Sequence, residues 1–297
     1  MKPPPFEYHA PRDLGEALEI LAGAGPRGKV LAGGQSLIPM LNMRIAAPDH
    51  LVDINRLGAL SSIDAGPGGV TVGALARHAE VERAAPHPLM VQALRLVAHP
   101  VIRNRGTVVG SLVHADPAAE LPAVLAVLDG SVRLARRAPG EPSASGLPDG
   151  VVTRDVPAGA FFTGPMESAA EPGELAVSAF FPALPPRTGT AFREIARRHG
   201  DYALAGVCAV VTLDEDLHIS AARVGCVGVG PVPVVVDVTE ACERRPAATV
   251  PWQRVAGAVR ERAEPDGDVH ASAAYRLHLI GVLAEQAVKD AAREAAG

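Results

Sequence analysis

Ala32-Gly33-Gly34-Gln35-Ser36-Leu37 stands between the short run Lys29-Val30-Leu31 and an apolar stretch from Leu37 to Ile45. Two adjacent glycines let a backbone turn tightly and bring its N–H groups close to an anion. Ser36 is placed to cap the helix that the apolar stretch would form. A strand, a glycine turn and a capped helix in that order predict a phosphate cradle.

A second passage, Arg103-Asn104-Arg105-Gly106-Thr107-Val108-Val109-Gly110-Ser111-Leu112, has analogous chemistry without being a copy. Its Gly and Ser again lie in an apolar setting, and the two arginines are placed to neutralise an anion. One Gly-Gly-x-Ser turn is more often only a turn. Two cradles in one chain suggest a diphosphate.

Around these loops the pattern predicts alternating elements. Asp13-Leu14-Gly15-Glu16 reads as a capping box ahead of an amphipathic helix from Leu14 to Ala24, and Lys29–Ala32 and His50–Ile54 read as strands. A larger lobe follows, with strands at Gly69–Leu75, Ser131–Arg136, Val151–Val156 and Glu174–Phe180. Its helices are expected at His78–Ala85, Pro88–Val97 and Ala118–Leu128, and the Pro, Gly and Ser-rich Ala138–Gly150 reads as an exposed hairpin tip. A third unit opens with strands at Ala191–Arg198, Ala203–Leu213 and His218–Val229, then helical runs from about Val234, Val250 and His270.

Composition narrows the function. With 297 residues, 48% hydrophobic and 21% charged, the chain is an ordinary globular one. Its net charge of -5 and 3% aromatics give no basic, stacking surface for nucleic acid. The N-terminus has no apolar signal region and no stretch approaches a membrane span, so a cytoplasmic protein is expected. Cys208, Cys226 and Cys242 have no C-x-x-C spacing, which supports neither a disulfide framework nor an iron-sulfur or zinc site, and they read as apolar filler.

Competing motifs fail on context. Gly23 to Lys29 matches the start of a nucleotide triphosphate loop, but Val30 stands where the magnesium-binding Ser or Thr belongs, and a helix C-terminal turn is the better reading. No Gly-x-Gly-x-x-Gly opens a helix after a strand, and no Gly-x-Ser-x-Gly elbow exists. His114 with Asp116, and His270 with His278, each lack a third ligand, so no metal is expected.

The stretches AGGQSLIPMLNMRIAAPDHLVDI (Ala32 to Ile54) and RNRGTVVGSLVHADPAAELPAVLAVLDG (Arg103 to Gly130) are followed by GAFFTGP (Gly159 to Pro165), ARRHGDYALAG (Ala196 to Gly206) and HASAAYRLHLIGVL (His270 to Leu283). In order and spacing they resemble the flavin-binding subunit of the molybdenum hydroxylases, the family of xanthine dehydrogenase and aerobic carbon monoxide dehydrogenase. The resemblance covers essentially the whole chain. It implies an α+β fold: a two-lobed flavin-binding domain of the p-cresol methylhydroxylase and vanillyl-alcohol oxidase type over residues 1–182, with lobes of about 1–58 and 59–182. A C-terminal domain, residues 183–297, would carry a three-stranded sheet with helices.

The resemblance also implies the cofactor, FAD, and its contacts. These are Leu31, Ala32, Gly33, Gly34, Gln35, Ser36 and Leu37 in the first loop, and Thr107, Gly110 and Ser111 in the second. Asp116, Glu120 and Leu175 follow, with Glu120 in reach of a flavin dinucleotide hydroxyl, Arg193 in the place of a cofactor-contacting base, and Tyr202 near the isoalloxazine. As residues alone, Glu120 is a helix N-terminal carboxylate favoured by the macrodipole, Arg193 a solvated strand residue and Tyr202 part of a polar turn. No catalytic acid or base is expected, because the cofactor does the redox chemistry.

The implied function is electron transfer within a heterotrimer, from a small subunit with two-iron two-sulfur clusters to NAD or a quinone, beside a molybdopterin-binding large subunit, as a dimer of heterotrimers. A stand-alone flavin oxidase or reductase of the same fold and a non-catalytic nucleotide-sensing or assembly subunit are the alternatives. Gln35, a poor nucleophile, stands where some covalent relatives of the wider fold carry histidine, so FAD is expected to be held without a covalent bond. Gly34→Val should abolish FAD retention by obstructing φ > 0 and filling the phosphate's place. The family this chain resembles reads Thr-x-Gly-Gly in the second loop, and Val109 here replaces the first glycine of that pair, which predicts backbone strain and tighter FAD binding by Val109→Gly.

Overall fold

Asp13 starts the first helix as the spacing predicts: its Oδ1 accepts the Glu16 N–H at 2.9 Å. Glu16 reaches back to the Arg12 N–H at 2.7 Å, one residue before the cap itself. The computed structural model describes residues 2–141, 143 and 147–297. Its first unit comprises β1 (Glu7–His9), α1 (Leu14–Ala24), β2 (Gly28–Leu31), α2 (Leu37–Asn42) and β3 (His50–Asp53). The strands are parallel in the order β1-β3-β2. Gly25 ends α1 at φ +54 and leads through a tight turn into β2, so the segment Gly23 to Lys29 is a helix terminus.

The second unit runs through β4 (Ile63–Gly66), β5 (Gly69–Gly73), α3 (His78–Ala84), α4 (Pro88–Leu94), α5 (Pro100–Arg103), α6 (Val108–His114), α7 (Glu120–Val127), β6 (Ser131–Arg137), β7 (Val151–Pro157), α8 (Ala158–Phe161), β8 (Phe162–Gly164), β9 (Glu167–Ser168) and β10 (Leu175–Pro182). Five strands form an antiparallel sheet, β4-β5-β10-β6-β7, while β8 and β9 pair separately. The Ala138–Gly150 segment joins the β6–β7 hairpin, although residues 142 and 144–146 of that tip lie outside the described residues. Helix α7 is buried along its whole length, which is why its sequence is apolar without a polar face.

The third unit contains β11 (Thr188–Ala196), β12 (Ala203–Leu213), β13 (Ile219–Val227), β14 (Val234–Asp237), α9 (Trp252–Arg260) and α10 (Ala273–Ala295). Its sheet has four antiparallel strands, β11-β12-β13-β14, not three. The run from Val234, expected to be helical, is a strand: three consecutive valines are stiff at χ1 and pack well on a pleated surface. One core joins the first two units and includes Leu18, Val52, Leu112, Val124 and Phe161, and a second lies between the C-terminal sheet and its two helices. Cys208, Cys226 and Cys242 are buried and free, as apolar filler would be, and burial pushes the Cys208 thiol up to about 12.

Candidate functional site

The two glycine loops belong to different units, and they meet. A Cβ on Gly33 would fall 2.5 Å from the Arg105 carbonyl oxygen and 2.8 Å from Gly106 Cα. Glycine at 33 therefore lets one backbone lie directly on the other. Gly34 adopts φ +75, so the positive φ expected there is present. Its Cβ, however, would meet Ile38 and Leu31 side chains at 3.2 Å, so a larger residue would press on its own unit before it filled the cleft. Leu31 accordingly supports the loop from behind and is absent from the cleft lining, contrary to expectation.

Ser36 does not cap α2. Its backbone is already helical and its hydroxyl makes no capping bond, because helical bonding begins earlier, with Ile38 N–H donating to Gly34 O at 3.0 Å. Gln35 Nε2 donates to Gly33 O at 3.2 Å. The backbone N–H groups of Gly33, Gly34, Gln35 and Ser36 find no acceptor among the described residues, and all four residues line the cleft. Such a row of free donors is an anion nest.

The second loop is built around Thr107. Its Oγ1 accepts the Gly110 N–H at 3.1 Å and caps α6, and a Cβ on Gly110 would stand 2.5 Å from that oxygen. Ser111 Oγ lies 3.0 Å from His78 Nε2, while His78 N–H donates to Gly106 O at 2.9 Å. Burial brings the His78 imidazole down to about 4, with Arg103 and Arg77 adding to the effect, so it is neutral at physiological pH. Val109 is the second residue of α6 and is not among the residues with positive φ. The strain expected there is absent, because Thr107 starts the helix before the position where a left-handed turn was expected. Val109→Gly would instead remove buried methyls from a helix, so its tighter binding loses its physical basis.

The arginines expected to face the anion do not line the cleft. Arg103 is held by Glu82 at 3.1 Å and by the Val97 and Ala98 carbonyls, and Arg105 lends its carbonyl to Arg77. The lining cation is Lys29, which the sequence reading passed over although it stands in the strand entering the first loop. His78 and His114 also line the cleft; the sequence raised His114 only as a metal-ligand candidate beside Asp116, and nothing in it marked His78.

Ala32, Leu37, Thr107, Gly110, Ser111, Asp116, Glu120, Leu175 and Tyr202 share this cavity of about 430 Å³ with the nest. That volume is typical of small-molecule sites. Glu120 begins α7 but is 8% exposed, and its carboxyl is pushed up to about 8 by burial, then by Glu194 and Asp116. Burial thus outweighs the helix dipole, and the group is largely protonated at neutral pH. Burial likewise brings Glu194 to about 7. Arg193, one residue earlier on β11, is ion-paired with Asp290 of α10 in a separate hollow beside Gln92, Thr190 and Glu294. Successive strand residues face opposite ways, which turns Arg193 from the cleft while its neighbour Glu194 acts on Glu120.

Residues 4–184 match the FAD binding domain in molybdopterin dehydrogenase, and residues 190–291 match the CO dehydrogenase flavoprotein C-terminal domain. The chain belongs to the FAD-binding medium subunits of the molybdopterin dehydrogenases, and its cofactor is FAD. Subunit alpha of the 6-hydroxypseudooxynicotine dehydrogenase complex of Paenarthrobacter nicotinovorans is 38% identical, with 99% of this chain and 97% of that one covered. The carbon monoxide dehydrogenase medium chain of Hydrogenophaga pseudoflava is 33% identical, with 98% of each covered. Reconstituted CO dehydrogenase from Oligotropha carboxidovorans superposes with a TM-score of 0.88 at 29% identity, covering 99% of this chain and 100% of that one. Among the described residues no helix is long and apolar enough to cross a membrane.

Proposed function

We propose that this subunit carries electrons from the two-iron two-sulfur clusters of a small subunit to NAD or a quinone, within a cytoplasmic heterotrimer whose large subunit binds molybdopterin and which itself pairs into a dimer. The observation that supports this reading is the junction at Gly33, where a row of free N–H groups meets the Thr107-capped loop. The nest and the second loop would hold the diphosphate, with Lys29 adding the positive charge. Asp116 and Glu120 would bind dinucleotide hydroxyls, and a protonated Glu120 can donate a hydrogen bond without repelling the phosphates. Tyr202 would pack near the isoalloxazine, and Ala32, Leu37 and Leu175 would supply apolar wall. We also place a domain boundary at residues 182 and 183, after two flavin-binding lobes of the expected type.

Bound FAD supplies both one-electron and two-electron exchange, which is what a junction between clusters and a nicotinamide or quinone requires. Three buried, free cysteines offer no cluster ligation, so the clusters belong to another chain. The test is purification from native cells, identification of copurifying chains, metal analysis and acid precipitation. Copurifying molybdopterin and iron-sulfur chains, with yellow supernatant after acid, are the expected result. A chain found alone whose flavin is reduced directly by a small alcohol would overturn the heterotrimer reading, and colour left in the pellet would overturn the non-covalent one.

A further inference from the structure

We propose that Glu7, His9 and His50 form a zinc site that ties β1 to β3. Side chains alternate along a strand, so Glu7 and His9 share one face of β1. In the parallel pairing His50 stands directly opposite Glu7, which brings its ring to that same face. His9 Nε2 lies 3.1 Å from His50 Nδ1, 3.8 Å from Glu7 Oε1, and His50 Nδ1 lies 3.6 Å from Glu7 Oε2. Bonds of about 2.0–2.1 Å at tetrahedral angles put donor atoms roughly 3.3–3.4 Å apart. The two ring nitrogens stand near that spacing, each has a different Glu7 oxygen within 4 Å, and one ligand atom from each of the three residues lies within 4.8 Å of the others, so a small rotation of the exposed Glu7 carboxylate completes the face.

The donor chemistry selects the ion. Two imidazole nitrogens and one carboxylate suit zinc, whereas calcium and magnesium take oxygen ligands. Glu7 is exposed, which leaves the fourth position to water. The two rings are partly buried and already face each other, so little side-chain freedom remains to be lost on binding. None of the three residues lines the flavin cleft.

The site's effect follows from the position of β1 at the edge of its sheet. On the opposite face Tyr8 donates to Asp53 Oδ2 at 2.7 Å, and Asp53 Oδ1 accepts from Asn55, whose Nδ2 also donates to Ala32 O at 2.9 Å. A metal on the first face would therefore clamp a strand whose second face is already linked to the segment entering the first cradle. Ligand binding to the folded chain alone raises its stability by mass action.

Tag-free full-length chain with its FAD, treated with chelator and dialysed, is titrated with zinc chloride by calorimetry, and the metal retained after gel filtration is measured. The parent should hold about one zinc per chain, as a three-ligand site predicts, and should unfold at a higher temperature with zinc than without. His9→Gln and His50→Gln should each weaken binding at least about tenfold, the loss that removing even an outer-shell partner brings, while keeping FAD. Should either variant not fold, Glu7→Gln alters an exposed side chain and should show the same weakening. A parent that retains no zinc overturns the proposal, as does equal affinity in all soluble variants, which would put zinc on other histidines.

Discussion

Gly33 separates a turn from a binding loop. Its Cβ would meet backbone, the Arg105 oxygen at 2.5 Å, and backbone cannot swing aside as a flexible side chain can. Gly33→Ala should therefore part the two loops, destabilise the chain by roughly 1–3 kcal/mol as overpacking does, and lower FAD occupancy at least several-fold. Flavin absorbance per folded chain measures it, and full occupancy would mean that loop contact is unnecessary for binding. Glu120 gives a prediction of a different kind. Its folded value is raised to about 8 from an ordinary 4.5, so the folded state holds the proton more tightly than the unfolded one. The resulting stability is fully present below 4.5 and is lost as pH rises through about 8. In flavin-free chain the melting temperature should decline across that window, and Glu120→Gln should flatten the decline. An unchanged slope would show that this carboxyl is not the titrating group. The sequence made Glu120 visible but not its protonation, since the burial and the approach of Glu194 come from elements distant along the chain. It also offered Arg193 where Glu194 acts, an error of one residue that strand alternation converts into the wrong face.

Elements were legible where local chemistry decided them. Strand β12 falls on its expected bounds, Ala203 to Leu213, and α1 on Leu14 to Ala24, because a long, almost wholly apolar strand run and a capped amphipathic repeat each have one good solution. Strand β1 has only three residues and makes sense only beside β3, so nothing in its own sequence announced it. Helix α6 was hidden for another reason: its first turn contains two valines and a glycine, weak helix formers that Thr107 fixes in place through its cap. Thr107→Ala should cost about 1 kcal/mol of stability, in line with other N-cap losses, and should weaken FAD binding by freeing the Gly110 N–H from its position. Thr107→Ser, which keeps the oxygen, should retain most of both. Chemical denaturation and FAD titration read the two effects, and equal behaviour of the Ala and Ser variants would assign Thr107's contribution to its methyl group.

At the scale of the molecule, the resemblance carried by the loop flanks was decisive, whereas the way the units meet was not legible. The cleft lies where α2's approach from the first unit, α6 and α7 of the second, and the Gly200 to Tyr202 loop of the third converge. A period or a motif describes one of these at a time, which is why Arg103 and Arg105 of the second loop looked available, although Glu82 holds Arg103, and Lys29 did not. The chain's redox equipment is a flavin site, its cysteines are buried and free, and burial makes the Cys208 thiol a poor ligand. Purified alone, the chain should therefore retain FAD and show no molybdenum-dependent turnover, while coexpression with a molybdopterin subunit and an iron-sulfur subunit should supply it. Dye reduction by the three-chain preparation, compared with this chain alone at equal flavin content, makes the comparison fair. Molybdenum-dependent activity in the single chain would refute the proposed division of labour, because the three free cysteines are all buried and offer no cluster ligation.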